Sequence, residues 1–301
     1  MNITQCSKTS INTYNQCVFK YYLKYILKLE DLYGKAALQG NIIHKVFEWI
    51  SKLKQKNKIH IDHMWLLERS WDMHVHTNPH IQLRRVTSRG ESADFRKCRL
   101  AIETILATKE YNPYNLDIIA SELYFRIAMP GEEWQTENNE QLIIHGFIDL
   151  IHKIDEKTIE IIDWKTGTRY DFITKKQKDV FSLFKDAQAR IYHFAVTELY
   201  PEYENILITF FYTGDGGPIT VEMNITDIPI TISALWNFFK KVQKTNIITR
   251  NRGYHCKMCP YEKSGVCNKA WNDLGLMGRE YVENKYFQLS FEDQQCINGN
   301  V

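Results

Sequence analysis

The stretch Leu142–Gly167, LIIHGFIDLIHKIDEKTIEIIDWKTG, decides the fold. Residues 142 to 154 and 158 to 165 are rich in Ile, Leu and Phe, and Asp155, Glu156 and Lys157 between them carry turn chemistry, so the segment predicts an antiparallel hairpin. A turn centred on Glu156 sets Asp149 directly opposite Asp163. Lys165 shares their face, because side chains two apart on a strand point the same way. Two carboxylates and one ammonium thus converge at one end of the hairpin. Facing carboxylates repel unless a cation lies between them, and oxygen ligands suit Mg2+ or Mn2+. Such an ion polarises a phosphate and makes water a better nucleophile, which fits hydrolysis of a phosphodiester, with Lys165 orienting the water or steadying phosphate charge. The plain alternative is a solvated ion pair worth roughly 0 to 1 kcal/mol. The apolar run ending in Asp163-Trp164-Lys165-Thr166-Gly167, with Asp149 opposed to it, weighs against that alternative.

Working outward, LQGNIIHKVFEWISKL carries Ile43, Val46, Phe47, Ile50 and Leu53 at helical spacing and predicts an amphipathic helix packed on the sheet. His44 lies on it, with Glu48 one turn away, and a neutral imidazole there can complete the carboxylate site. Glu122, on the strand predicted from IIASELYFRIAM, ranks below these as a further acidic residue near the ion. In SLFKDAQARIYHFAVTELY, Phe184, Ala187, Ile191, Phe194 and Ala195 form the packing face of one helix. Gln188 and Tyr192, four apart, reach past its edge toward the site, where an amide bonds a phosphate or base and a phenol stacks or donates.

Four of the seven cysteines make a second constellation. RGYHCKMCPYEKSGVCNKAW clusters Cys256, Cys259 and Cys267, one thiol short of a tetrahedral site. Cys17, in TYNQCVFKYYLKYIL, is the leading fourth, ahead of Cys6, Cys98 and Cys296. Structural Zn2+ and a [4Fe-4S] cluster both fit four thiolates, and spacing alone leaves the choice open. Either would join residue 17 to residue 256 and clamp the two ends of the chain.

At 301 residues and 44% hydrophobic composition, the chain can bury one large core. No segment approaches a membrane span, and MNITQCSKTSINTYNQC lacks a leader's apolar stretch, so an intracellular protein without a membrane partner is expected. The net charge of +2 does not mark the whole surface as a nucleic-acid binder, yet Lys45, Lys165, Arg169, Lys175, Lys176 and Lys178 gather near the hairpin, and Arg250, Arg252 and Lys257 near the cysteines. There is no Gly-x-x-x-x-Gly-Lys-Ser/Thr loop, which argues against an ATPase. Residues 9 to 28 read as a helix capped by Ser10, HVHTNPH at 74–80 as a loop, and TGDGG as a hairpin turn. The whole predicts an α/β fold, a mixed sheet flanked by helices, with helical additions at residues 50 to 115 and at both ends.

The ordered set His44, Asp149, Asp163-Trp164-Lys165 and Gln188-x-x-x-Tyr192 resembles the PD-(D/E)XK nuclease superfamily, and within it the RecB-like branch that includes Cas4 and the AddB nuclease domain. Ile148 stands where the proline of the family's name would precede Asp149. The resemblance implies a restriction-endonuclease-like core and a single nuclease domain over 1–301, with a helical insertion at 50–115 and a cysteine segment at 250–270 joined to Cys17. It implies one or two divalent ions held by His44, Asp149, Asp163 and the Trp164 carbonyl, catalysis aided by Lys165, and DNA handling by Gln188 and Tyr192. It also turns the choice at Cys17, Cys256, Cys259 and Cys267 to a [4Fe-4S] cluster. The expected activity is a DNA exonuclease acting on ends or single strands in recombination, repair or replication, with a helicase or recombination protein as partner. A structure-specific endonuclease and a non-catalytic DNA-binding scaffold are the alternatives.

Overall fold

The hairpin forms in the expected register. Leu150 pairs with Ile162, Ile151 with Ile161, His152 with Glu160 and Lys153 with Ile159, and one step farther the same register sets Asp149 across from Asp163. The turn closes where Asp155 accepts a hydrogen bond from the Lys157 amide at 2.8 Å. The structure, a computed structural model, describes Met1 and residues 3–31, 34–57, 61–171, 176–215, 217–290 and 293–294. Lys175 and Cys296 lie outside the described residues. The chain divides into two compact units, one made of Gly34–Ile127 and Ile144–Leu235, the other of Met1–Tyr33, Ala128–Ile143 and Trp236–Val301.

In the first of these units the strands are β1 (Asp117–Ala128), β2 (Ile143–Lys153), β3 (Thr158–Lys165), β4 (Asn205–Tyr212) and β5 (Gly217–Asn224), side by side in that order. The sheet is mixed: β2 and β3 are antiparallel, β3 and β4 parallel, β4 and β5 antiparallel. A parallel pair needs a crossover, and the segment after β3 supplies one through a helix. Three earlier helices, α1 (Lys35–Gln55), α2 (His63–Thr77) and α3 (Ala93–Ala107), build the apolar layer on one face of the sheet. There Ile42, Val46, Phe47 and Ile50 of α1 meet Leu66 and Trp71 of α2, Phe95 and Ile102 of α3, and Leu150, Ile162, Trp164 and Phe211 of the strands. The Phe47 ring stands 4.9 Å from that of Trp164, which fixes the turn of α1 bearing His44 above the end of β3. The crossover helix α4 (Ala187–Leu199) buries Ile191, Phe194 and Ala195. The result is the α/β fold with a mixed sheet flanked by helices.

Local capping accounts for three departures from the sequence reading. Asp186 accepts from the Gln188 amide at 2.8 Å and starts α4 there, so residues 182–200 form two helices, the first being Val180–Phe184. His74 and His76 are helical, since α2 runs to Thr77 and ends only before Asn78 and Pro79. The helix expected over residues 9 to 28 is capped by Ser7 and stops at Gln16, where Cys17 takes up extended backbone.

In the other unit, distant parts of the chain are tied together by hydrogen bonds to main-chain carbonyls. The Phe19 amide donates to the Thr249 carbonyl at 2.9 Å, and the Tyr261 hydroxyl to that of Leu29 at 3.1 Å. The Tyr14 ring meets that of Phe238 edge-on at 5.7 Å, and Trp134 meets Trp236 at 4.9 Å. Among the described residues no helix is long and apolar enough to cross a membrane.

One glycine controls the loop that leaves β3. The Gly214 amide donates to the Gly167 carbonyl at 3.2 Å, and a Cβ on Gly214 would lie 2.8 Å from that same oxygen. Because the obstacle is backbone, Gly214→Ala should destabilise the fold by about 1–3 kcal/mol. Urea denaturation should show a lower midpoint at an unchanged slope; an unchanged midpoint would remove this constraint.

Candidate functional site

Asp163 is the most enclosed charge at the sheet end, with its side chain 2% exposed. Lys165, two residues on, ion-pairs with its Oδ2. Gln188 and Tyr192 lie one turn apart on α4 and serve the other oxygen: the Tyr192 hydroxyl stands 2.8 Å from Asp163 Oδ1, to which Gln188 Nε2 also donates. Gln188 also accepts from Lys165 Nζ at 2.8 Å and donates to the Tyr192 hydroxyl at 2.6 Å. The Tyr192 hydroxyl is also 2.9 Å from the Phe147 carbonyl oxygen. Burial, with the charges of Asp163 and Asp149 behind it, pushes the Tyr192 phenol well above its ordinary value, so it remains a neutral donor. The sequence placed these two residues at the helix edge; the structure sets them directly on Asp163.

Across the strand, Asp149 Oδ2 accepts from the Trp164 amide at 2.8 Å, a bond that locks the carboxylate over the β3 end. Its Oδ1 is 3.2 Å from His44 Nδ1, while His44 Nε2 donates to the Trp164 carbonyl at 2.9 Å. Glu122 Oε1 lies 3.9 Å from His44 Nδ1. His44, Glu122 and Asp149 thereby bring donor atoms within 4.8 Å of one another, a grouping compact enough to hold a metal ion. Asp163 is not a member of that trio, its oxygens being turned to Lys165, Gln188 and Tyr192. Glu48 is directed away, paired with Lys45 and Lys52.

The electrostatics follow from crowding acids at a poorly solvated strand end. Burial alone would lower the His44 pKa, but the Asp149 charge and hydrogen bond outweigh it, helped by Asp163 and Glu122, and lift it to about 9. Burial and repulsion from Asp149 push Glu122 up to about 7 against the pull of His44. Three carboxylates around one imidazole and one ammonium create a strong demand for positive charge.

Glu122 is the residue that sequence reasoning undervalued. Its backbone is left-handed, φ +48°, inside β1, a conformation that costs a non-glycine residue of order 1–3 kcal/mol. That kink breaks the two-residue alternation on which a face assignment rests. A lone Glu in an apolar strand was the available signal.

The cysteines form a separate cluster in the other unit. Cys17, Cys256, Cys259 and Cys267 line one cavity with Lys20, Arg250 and His255. Cys17 begins the short helix Val18–Tyr21 and accepts from the Lys20 amide at 3.4 Å; Cys259 begins Pro260–Lys263; Cys267 sits in the first turn of Val266–Tyr286. Burial raises the Cys259 thiol and pushes Cys267 up to about 12, opposed by the nearby charges of Lys20 and Arg250 respectively. Cys6 and Cys98 are buried elsewhere and free.

With this geometry in hand, comparison with known proteins is informative. The family model of the PD-(D/E)XK nuclease superfamily matches residues 5–268. The chain is 23% identical over 171 residues to one subunit of the ATP-dependent helicase/deoxyribonuclease of Streptococcus pyogenes serotype M49 (strain NZ131), and equally to that of serotype M1. Each alignment covers 54% of this chain and 14% of the relative, so the chain spans only a small part of the proteins it matches. The crystal structure of a candidate exonuclease from Eubacterium rectale superposes with a TM-score of 0.50 over 88% of both chains at 15% identity, a likeness of fold.

The hold of α4 on Asp163 can be tested without any activity. Tyr192→Phe deletes one hydroxyl from a buried carboxylate and should cost about 1–3 kcal/mol in urea denaturation without divalent ions. Wild-type stability in that variant would mean that Asp163 does not depend on the phenol.

Proposed function

Since the chain belongs to the PD-(D/E)XK nuclease superfamily, we propose that it is a divalent-metal-dependent deoxyribonuclease that removes nucleotides from DNA ends or single strands. The observation that carries this reading is the convergence of His44, Glu122 and Asp149 within 4.8 Å beside the Asp163–Lys165 pair. The donor set fits Mg2+ or Mn2+: carboxylate oxygens suit both, and one imidazole tilts the balance toward Mn2+. His44, Glu122 and Asp149, with Asp163 and the Trp164 carbonyl close by, would hold the ion, which supplies Lewis-acid polarisation of the phosphate and a more acidic water.

The remaining work falls to the chain's own groups. Lys165 is held between Asp163 and Gln188 Oε1, so its ammonium is preset to orient the attacking water or to stabilise charge on the phosphate. Gln188 and Tyr192 act as positioning residues, keeping Asp163 Oδ1 fixed through α4. Lys176 and Lys178 line a cavity with Phe181 beside the start of α4 and supply phosphate contacts without sequence preference. The names of the relatives pair a deoxyribonuclease with a helicase, which supports a helicase or recombination protein as partner.

For the cysteines we favour a [4Fe-4S] cluster over Zn2+. The four thiols line one cavity, four thiolates fit either centre, and the likeness to the RecB-like branch turns the choice to the cluster. The charges of Lys20 and Arg250 work against the burial that raises the Cys259 and Cys267 thiols, and a bound metal centre would take these cysteines as thiolates. The cluster would serve as a structural clamp on this unit rather than as a redox catalyst.

Asp163→Ala and Lys165→Ala should each reduce Mg2+- or Mn2+-dependent cleavage of linear DNA by about a thousandfold or more with circular dichroism unchanged. Retained cleavage in both purified variants would refute the site. Closed circular DNA should resist the wild-type chain; rapid nicking of circles would make it an endonuclease, and binding without cleavage a scaffold. Anaerobically purified protein should carry about four irons per chain, and Cys259→Ser should lose iron and solubility. One zinc and no iron would replace the cluster without touching the nuclease reading.

A further inference from the structure

Beyond the metal-binding groups, β1 and β2 carry an exposed aromatic pair. Tyr124 is 51% and Phe147 56% exposed, and their rings stand 5.0 Å apart at 46°. Phe147 is two residues before Asp149, and Tyr124 two after Glu122, so the pair lies next along both strands from the proposed ion ligands. Phe147 is also joined directly to the site, its carbonyl oxygen being 2.9 Å from the Tyr192 hydroxyl. The opposite face fixes the arrangement: buried Phe125 lies over Gly146, where a Cβ would come within 2.9 Å of its ring. With Phe125 committed inward, strand alternation turns Tyr124 outward.

One further step along brings cationic chemistry. Arg126 is exposed two residues after Tyr124, and its charge acts on His145, two residues before Phe147. Past the kink at Glu122, β1 thus presents Tyr124 and then Arg126 on one face, a step of about 6.6 Å of strand. A packing role does not explain rings left more than half exposed, and edge strands are ordinarily protected by charge rather than by paired aromatics.

We propose that Tyr124 and Phe147 form a base-stacking shelf that takes an unpaired nucleobase of the substrate strand, with Arg126 contacting the adjoining phosphate. This rests on the nuclease reading of the site and narrows its substrate to strands whose bases are unstacked next to the cleaved bond. Stacking on aromatic faces accepts any base, so the shelf confers strand selectivity without sequence selectivity.

The test uses the intact protein with Mn2+, a labelled single-stranded oligonucleotide, and versions of it with one abasic position moved stepwise along the strand. For the wild-type chain, an abasic position beside the cleaved bond should raise KM about tenfold. Phe147→Ala and Tyr124→Ala should raise KM on the intact strand by a similar factor, change kcat less and lose the abasic sensitivity. Phe147→Trp should restore both, and Arg126→Ala should lower the salt slope of binding by about one. A flat abasic scan in the wild type, or alanine variants that keep its sensitivity, would overturn the shelf while leaving a working nuclease. No cleavage of any strand by the wild type would instead overturn the nuclease reading and the shelf with it.

Discussion

The register of the β2–β3 hairpin is the constraint on which the site depends. A slip of one residue would turn Asp163 and Lys165 toward α1 and bury their charges among Phe47 and the helical core. Two features oppose that slip. Ile162 and Trp164 alternate with the charged positions and fill the layer built by α1, α2 and α3. On the same face a polar ladder crosses four strands: His152 Nε2 is 2.7 Å from Glu160 Oε2, Thr209 donates to Glu160 Oε1, and Thr209 lies 2.7 Å from Thr220 Oγ1. His152, Glu160 and Thr209 are buried, each beside a partner in a neighbouring strand, so a shifted strand would leave a buried carboxylate without its partners. Hydrophobic burial favours the sheet in general, whereas this ladder favours one alignment of it.

Fixed register then makes the electrostatics unavoidable. Asp149 is locked by the Trp164 amide and cannot swing away from the facing acids, while Glu122 is brought in by a left-handed kink. The protonated imidazole of His44 is the local answer, bonded to Asp149 and to the Trp164 carbonyl. A site that lifts an imidazole to about 9 is one that stabilises added positive charge. Lys165 answers Asp163 directly through an ion pair with its Oδ2, and Gln188 binds the ammonium and Asp163 Oδ1 together. A single amide side chain thus ties the ammonium to the carboxylate it already pairs with.

How much of this was legible follows from how local each signal is. Asp149, Asp163 and Lys165 could be placed because a two-residue period and a short turn fix their mutual position. His44 could be placed because one helical face is apolar. Glu122 defeated the same logic, since a single left-handed residue interrupts the period. The breaks at Cys17 and Asp186 were missed because capping side chains there outweighed an otherwise continuous helical pattern. Tyr124 and Phe147 drew no notice, since alternation reports which side a residue faces and not whether anything covers that side.

The cysteines illustrate the non-local remainder. Three thiols lie close in sequence in the tail, but the fourth is separated from them by most of the chain, and only the fold brings Cys17 to the same cavity. The break in the first helix explains how. Extended backbone at Cys17 lets its sulfur face the start of the next helical turn, where an amide points at it, and the Phe19–Thr249 main-chain bond holds the tail alongside. A continuous helix through residue 17 would have spent that amide on its own ladder. A centre bound by all four thiols would close a long loop, and such a closure removes more chain entropy from the unfolded state than a local cross-link does, growing slowly with loop length. The interruption of helix that looks like a local defect is thus what turns the Cys17 sulfur into the cavity it shares with the cysteines of the tail.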